Sequence, residues 1–246
     1  MKAKQISKRG YLFTFDSKNS NFEVETSIYI IIGDKKVFVI DTHCGADSMM
    51  YVHDFINHKC KDHEIVVVNT HYDWDHVFGN MAFSKHTIIS HQETYDMLDQ
   101  HWESMEIANK DSCDGDTSKC LPNKTFVGDL DFLDEGVRLF HSPGHTHDSI
   151  SVYDNQDKVL FVADNLEKPL PYLQDHRLQL YVNTLNYYHT LNFETLVCTH
   201  SGVVDFETIE FTKGYLNSII HDKPLDLTTE QLEVHGVNRL ELKKRK

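Results

Sequence analysis

The stretch from Ile65 to His76 reads IVVVNTHYDWDH and contains the strongest fold and function signal of the chain. Its first four residues are apolar, which is typical of a strand buried on both faces in a layered α/β protein. Residues 71–76 therefore lie on the loop that leaves a buried strand. Two imidazoles and two carboxylates on such a loop are the ligand types of zinc, iron and manganese sites. The alternative is a polar loop in which the histidines hydrogen bond to neighbouring carboxylates.

Three more residues of ligand type follow apolar strands later in the chain. His145 comes shortly after the apolar run 137–140, Asp164 directly follows residues 160–163, and His200 follows residues 196–198. Strand ends in layered α/β folds converge on one edge, where functional sites form. We therefore expect these three side chains to meet the 71–76 loop.

The hydrophobic pattern predicts strands and helices interleaved in both halves, which indicates an α/β fold built in layers. Residues 22–32 and 37–40 flank a short Gly-Asp turn and predict a β-hairpin. The other predicted strands are 65–68, 87–90, 137–140, 149–153, 159–162 and 196–198. The predicted helices are 46–60, 92–110, 173–191 and 206–220, the last with Asp205 as its N-cap. The polar segment 111–124 predicts an exposed insertion, and Trp102 in the preceding helix either lines the site or packs in an outer layer.

These residues together resemble the metallo-β-lactamase-fold hydrolase superfamily from about Phe22 to Gly202. The family pattern is His-x-His-x-Asp-His, then a distant His, an Asp and a final His. The resemblance implies a four-layer αββα sandwich, with residues 1–246 as a single domain and a helical and polar insertion around residues 92–125. It also implies two metal ions, with Asp41 supporting the metal-binding loop from behind. One ion would be bound by His71, Asp73 and His145 and the other by Asp75, His76 and His200, with Asp164 bridging the two.

Asp73 departs from the family pattern, which usually has His at this position. Two divalent ions (+4) and three aspartates (−3) give the metal centre a net charge of +1. With the usual His in place of Asp73, the net charge would be +2. An oxygen ligand shifts metal preference toward iron or manganese, and flavodiiron proteins, which this chain also resembles, have Glu there. The sequence thus predicts two divalent ions, with zinc favoured and iron or manganese as alternatives. His43 also departs from the family, which commonly has Gly, and we expect it to pack or hydrogen bond rather than ligate.

The leading functional hypothesis is metal-assisted hydrolysis of an ester, thioester, lactone or similar bond. Asp75 is the predicted catalytic residue, because it would orient the attacking water and accept its proton. The second hypothesis is a non-haem diiron protein that binds or reduces oxygen or nitric oxide. A third is a metal-stabilised binding protein without turnover.

The amino-acid composition restricts the classes of molecule that this chain is expected to bind. The 38 acidic and 24 basic residues give a formal charge of −14, which disfavours nucleic acid and favours a small-molecule substrate. No apolar run reaches the roughly 18 residues of a membrane span, and we expect neither membrane association nor a signal peptide. The five cysteines form no Cys-x-x-Cys pair, so a reducing, cytoplasmic location is expected.

Overall fold

A computed structural model describes residues 2–16, 18 and 20–244, and in this part of the chain two β-sheets lie face to face. The first sheet has the spatial order β1 to β7, with β1 (Lys2–Gln5), β2 (Gly10–Phe15), β3 (Thr26–Ile32), β4 (Lys36–Ile40), β5 (Glu64–Asn69), β6 (Thr87–His91) and β7 (Lys124–Phe126). The second has the order β13-β12-β11-β10-β9-β8, with β8 (Asp129–Phe132), β9 (Val137–His141), β10 (Ile150–Asp154), β11 (Val159–Phe161), β12 (Thr195–Cys198) and β13 (Gly202–Val204). The helices are α1 (Ala46–Cys60), α2 (Trp74–Val77), α3 (Gln92–Ala108), α4 (Leu178–Tyr188), α5 (Glu207–Ile220) and α6 (Thr229–Lys244).

Apolar side chains fill three parallel zones, which confirms the predicted four-layer αββα sandwich. The zone between the sheets includes Tyr29, Phe38 and Val66 from the first sheet and Leu139, Val152 and Phe161 from the second. On the outer face of the first sheet, α1 contributes Met49, Val52 and Ile56. On the outer face of the second sheet, the core includes Tyr181, Leu185 and Leu216 of α4 and α5, and Val234 of α6. Each sheet is therefore buried on both faces over its central strands, as the apolar runs predicted.

Strand direction brings the predicted functional residues to one edge of the sandwich. Strands β4, β5 and β6 are parallel. In the second sheet β9 and β11 are each antiparallel to β10, and β11 is parallel to β12, so β9, β11 and β12 all end on the same side. At this edge of the sandwich, two hydrogen bonds connect the two sheets. They run from Ile150 N–H to the Thr70 carbonyl and from Ser27 N–H to the Thr199 carbonyl.

Two predictions of local structure were wrong. Helix α4 begins at Leu178 rather than at residue 173, because residues 173 and 174 instead use their backbone N–H groups to bind Asn238 and the His145 carbonyl. Asp205 is not the N-cap of α5, since Phe206 occupies that position. The hydrophobic pattern did not predict β1, β2, β7, β8, β13, α2 or α6.

The segment after β6 belongs to the outer layers. Trp102 of α3 is fully buried beside Phe78, and its indole N–H donates to the Thr117 carbonyl. The outer-layer interpretation of this helix is therefore correct for Trp102. Among the described residues, none of the helices combines the length and the apolar character that crossing a bilayer requires.

Candidate metal centre

All seven side chains predicted as ligands lie together at the shared edge of the two sheets. One oxygen atom, Oδ2 of Asp164, is at the middle of the group. The Nε2 atoms of four histidines surround it, at 3.2 Å for His200, 3.3 Å for His76, 3.7 Å for His71 and 3.9 Å for His145. These residues come from loops after β5, β9, β11 and β12, so the convergence of strand ends produces the cluster.

Two triads lie on either side of Asp164. In the first, Oδ2 of Asp73 lies 3.1 Å from His145 Nε2 and 3.5 Å from His71 Nε2. In the second, Oδ2 of Asp75 lies 3.4 Å from His200 Nε2 and 3.7 Å from His76 Nε2. In each triad, the ligand atoms lie within 4.8 Å of one another and could hold a metal ion. Each triad offers two imidazoles and one carboxylate, a donor set that suits both catalytic zinc and non-haem iron.

All four histidines have the same orientation. Each ring contacts an oxygen through Nδ1, which leaves Nε2 facing the centre. The partners and distances are the Thr70 hydroxyl for His71 (3.0 Å), the Asp41 carboxylate for His76 (2.8 Å), the Tyr172 carbonyl for His145 (2.8 Å) and the Glu25 carbonyl for His200 (2.9 Å). An outward N–H donor of this kind fixes the tautomer that a metal-ligating histidine requires.

Several polar atoms at the centre are buried and have no hydrogen-bond partner in the part of the chain that the structure describes. They are Nε2 of His71, Nε2 of His76 and Oδ1 of Asp164. Unpaired buried polar atoms cost free energy, so native proteins rarely contain them. One cation in each triad would satisfy these atoms, and the donor set therefore fits the metal ions that the sequence predicted.

Charge within the cluster stabilises both the imidazolium and the carboxylate forms. Burial alone would lower the pKa of His145, but the hydrogen bond with Asp73 and the charge of Asp164 outweigh it and raise that pKa to about 9. The pKa of His200 is raised to about 10 against the opposing effect of burial, chiefly by Asp164. Burial likewise opposes ionisation of Asp164, yet the charges of His200 and His76 hold its pKa well below the usual range. A cation must displace these protons, so metal affinity should rise with pH.

Asp41 lies behind two of the candidate ligands and is linked to both by hydrogen bonds. Its buried carboxylate accepts hydrogen bonds from the Thr70 N–H, the Thr70 hydroxyl and Nδ1 of His76, each at 2.8 Å. The same Thr70 hydroxyl contacts Nδ1 of His71. Asp41 is thus connected to one histidine of each triad.

We expect Asp41→Asn to weaken metal binding by about 10- to 100-fold, the usual effect of losing such a supporting carboxylate. The amide NH₂ is a donor, so only the amide oxygen could accept hydrogen bonds from the three donors that surround Asp41. Competition with a chromophoric chelator measures the affinity. The matched control is Asp34→Asn in the exposed turn after β3. A folded Asp41→Asn protein with an affinity within about threefold of the wild type would contradict this role.

Sequence reasoning missed three polar residues around the first triad. Nε2 of Gln174 donates to Asp73 Oδ2 at 2.6 Å, and the Asn165 side chain accepts the backbone N–H of His145 at 2.8 Å. The fully buried Asn238 of α6 donates to the Pro171 carbonyl at 2.9 Å and accepts from Leu173 N–H at 2.9 Å. It thereby fixes the loop whose Tyr172 carbonyl orients His145. No local pattern marks these residues, because their partners lie far away in sequence.

Glu167 is a further missed residue, half-buried beside the candidate ligands. Burial raises its pKa to about 7, and the nearby charge of His200 acts in the opposite direction. The distance of three residues from Asp164 was the only signal in the sequence.

His43 packs behind the centre rather than within it. Its ring stacks on Phe15 with centroids 4.6 Å apart, and its nitrogens contact the Ser20 hydroxyl at 3.0 Å and the Cys44 thiol at 3.3 Å. Among the described residues it belongs to none of the possible metal-binding groups. Burial, with added repulsion from His76 and His200, lowers its pKa to about 3.

The lowered pKa of His43 predicts acid sensitivity. Because the folded pKa lies below the unfolded value of about 6.5, the unfolded chain binds more protons between these values, and the free energy of unfolding falls as the pH drops through this window. The full shift corresponds to about 5 kcal/mol. In metal-free protein, His43→Asn, which tolerates the positive φ of 57°, should reduce the loss of stability between pH 6.5 and pH 3. Urea denaturation over this range tests it, and parallel stability curves for the two proteins would refute it.

Comparison with known proteins identifies the family. The sequence model of the metallo-beta-lactamase superfamily matches residues 22–200. The chain belongs to this superfamily. The match ends at His200, the last of the candidate ligands, so the metallo-beta-lactamase region includes all seven, whereas α5 and α6 lie outside it.

Solved structures of metallo-beta-lactamases share the fold. TMB-1 is similar with a TM-score of 0.72 and 18% sequence identity, over 89% of this chain and 98% of that chain. The metallo-beta-lactamase from Pontibacter korlensis is similar with a TM-score of 0.69 and 20% identity, over 88% of this chain and 98% of that chain. At these identities, the likeness establishes the architecture.

Proposed function

We propose that this chain is a hydrolase that uses two divalent metal ions to activate water against an ester, thioester, lactone or similar bond. The observation that carries the proposal is the position of Asp164, whose Oδ2 lies within 3.9 Å of four histidine Nε2 atoms. One ion would be bound by His71, Asp73 and His145 and the other by Asp75, His76 and His200. Asp164 would bridge them.

Zinc is the first candidate for both positions, with iron or manganese as alternatives. Two imidazoles and a carboxylate form a known catalytic zinc set, and with Asp164 as the fourth donor a water or substrate would be the fifth ligand of each ion. When bound, two such ions lower the pKa of a shared water and polarise the bond to be cleaved. The described residues supply the donors for both positions, since each triad contributes three and Asp164 contributes to both.

Asp75 is the proposed proton acceptor. Its side chain is nearly buried, and its Oδ2 lies between the rings of His200 and His76 at 3.4 and 3.7 Å. From this position the carboxylate would orient the attacking water and take its proton as the bond to the substrate forms. Asp41 and the Thr70 hydroxyl hold the histidine rings while this happens.

The proposed substrate is a small molecule rather than a polyanion. The formal charge of −14 opposes the approach of phosphate-rich ligands. Tyr172, in the loop that orients His145, is 41% exposed and offers an aromatic surface beside the centre. Glu167 adds a carboxylate near the same ligands, which further disfavours anionic substrates.

A diiron protein that binds or reduces oxygen or nitric oxide is the second candidate. Asp73 supports it, because an oxygen ligand in this triad makes both metal positions two-histidine, one-carboxylate sets, which non-haem iron enzymes use. Measuring whether the purified protein contains zinc or iron distinguishes the hydrolase from the diiron protein.

The test combines metal analysis with an activity panel. Protein purified without added metal is analysed by mass spectrometry, and the metal-loaded protein is then assayed on esters, thioesters, lactones and phosphodiesters. At least two zinc ions per chain with hydrolysis of at least one class would support the hydrolase. A coloured, iron-loaded protein without hydrolysis would support the second candidate, and absence of turnover with every metal would contradict the proposal.

A further inference from the structure

A second group of possible ligands, two histidines and one glutamate, lies at the same edge of the sandwich, apart from the seven candidate ligands. It consists of His91 at the end of β6, Glu93 in the first turn of α3 and His141 at the end of β9, and we refer to it as the His91 cluster. One ligand atom from each residue can be chosen so that all three lie within 4.8 Å of one another. No member belongs to either triad of the candidate metal centre.

The two rings of the His91 cluster are stacked, and one nitrogen of His91 is unpartnered. The ring centroids are 4.2 Å apart and the ring planes differ by 7°. His91 is only 3% exposed, and its Nε2 is buried without a hydrogen-bond partner among the described residues. Burial and the neighbouring His141 lower the pKa of His91, so this ring is neutral at pH 7. Neutral imidazole is the form that binds metal.

Hydrogen bonds leave lone pairs available in both rings. Nε2 of His141 donates to the His147 carbonyl at 2.8 Å, so the neutral ring has its lone pair on Nδ1. Nδ1 of His91 contacts only the Glu93 backbone N–H, at a long 3.4 Å. Rotation of this ring can therefore direct a nitrogen to an ion without breaking a short hydrogen bond. For both lone pairs to meet at one ion about 2.1 Å from each nitrogen, each ring would have to tilt by roughly 40° from the parallel arrangement.

Asp148 provides independent support for a cation near this cluster. It is fully buried, and in the described part of the chain neither of its carboxylate oxygens has a hydrogen-bond partner. Its charge is close enough to His91 to act on the pKa of that ring. An uncompensated buried carboxylate is strongly unfavourable, whereas a bound cation nearby offsets its charge.

We propose that His91, Glu93 and His141 form an additional site for one divalent transition-metal ion of the zinc class. Two imidazoles and a carboxylate are a recognised zinc donor set. His91 belongs to the first sheet and His141 to the second, so the ion would join the two sheets at the edge that also carries the candidate centre. The site would stabilise the fold there, and its existence does not depend on the proposed hydrolase function.

The test is the zinc stoichiometry of the full chain, measured by equilibrium dialysis of metal-free protein against Zn²⁺. Wild-type protein should bind three ions, and Glu93→Gln should lower the affinity for one of them by at least about tenfold. Glu93 is 47% exposed, so this isosteric change should not disturb folding. Glu103→Gln on the same helix is the matched control and should leave all three ions bound. His141→Gln should have the same effect as Glu93→Gln, with circular dichroism confirming the fold.

A variant without the candidate centre distinguishes this proposal from the proposed function. The double substitution His71→Ala/His200→Ala disables the candidate centre, and this protein should still bind one zinc ion. Adding Glu93→Gln to it should remove that ion and lower the melting temperature measured in Zn²⁺. If the wild type binds two ions and this double variant binds none, the His91 site is refuted while the proposed centre stands. If the wild type binds one ion that Glu93→Gln removes, the proposed centre fails and the His91 site stands. Zinc binding that survives both Glu93→Gln and His141→Gln unchanged would overturn the proposal.

Discussion

Replacement of His76 by alanine should reduce hydrolysis by about 10³-fold or more, because this residue is both a proposed ligand and the link to Asp41. Its Nε2 lies 3.3 Å from Asp164, and its Nδ1 contacts Asp41 at 2.8 Å. The companion variant Asp75→Asn, which preserves side-chain volume, should cause a similar loss by removing the proposed proton acceptor. Steady-state kinetics on the substrate that the panel identifies, together with metal analysis of each variant, measures both effects.

Controls for these variants come from exposed positions. His58→Ala on α1 and Asp62→Asn just after that helix repeat the same chemical changes away from the centre, and both proteins should retain wild-type kinetics. Activity close to that of the wild type in a verified metal-free His76→Ala protein would show that the reaction does not need the second triad, and the hydrolase mechanism would then be wrong.

Asp164→Asn should cause the second large effect, the loss of both ions rather than one. Its Oδ2 is surrounded by Nε2 atoms of both triads, and its charge is a cause of the raised pKa of His145 and of His200. Without that charge we expect the affinity for each ion to fall by at least about 10- to 100-fold. The pKa of His200 should fall from about 10 toward its ordinary range.

Two measurements check the Asp164→Asn prediction. Dialysis against a chelator series reports the affinity for each ion, and NMR titration of the histidine rings in metal-free protein reports the pKa of His200. Asp62→Asn is again the matched control, since it removes one carboxylate without touching the centre. Two ions bound with wild-type affinity in Asp164→Asn would exclude a bridging role.

The positions of the seven candidate ligands were predictable because they follow strongly apolar strands. Parallel strands such as β11 and β12 end on the same side of a sheet, and this rule predicts from the sequence alone that Asp164 and His200 lie close together. The αββα architecture itself followed from the family resemblance, and the interleaved strands and helices agreed with it.

Long-range contacts explain what the sequence did not reveal. Residue 173 continues an apolar periodicity that predicts helix, yet its backbone N–H binds Asn238 of α6, and the chain forms no helix until Leu178. The side chain of Gln174, in this non-helical segment, reaches Asp73. The stacking of His91 on His141 joins two sheets, and such a contact between residues 50 positions apart leaves no local periodic signal.

Anomalous diffraction from crystals of protein loaded with a single metal tests the central claim most directly. The account predicts two peaks beside Asp164, one within about 2.0–2.2 Å of donor atoms of His71, Asp73 and His145 and the other equally close to Asp75, His76 and His200. A metal-loaded crystal with no density between these side chains, or with His145 and His200 turned away from Asp164, would contradict it.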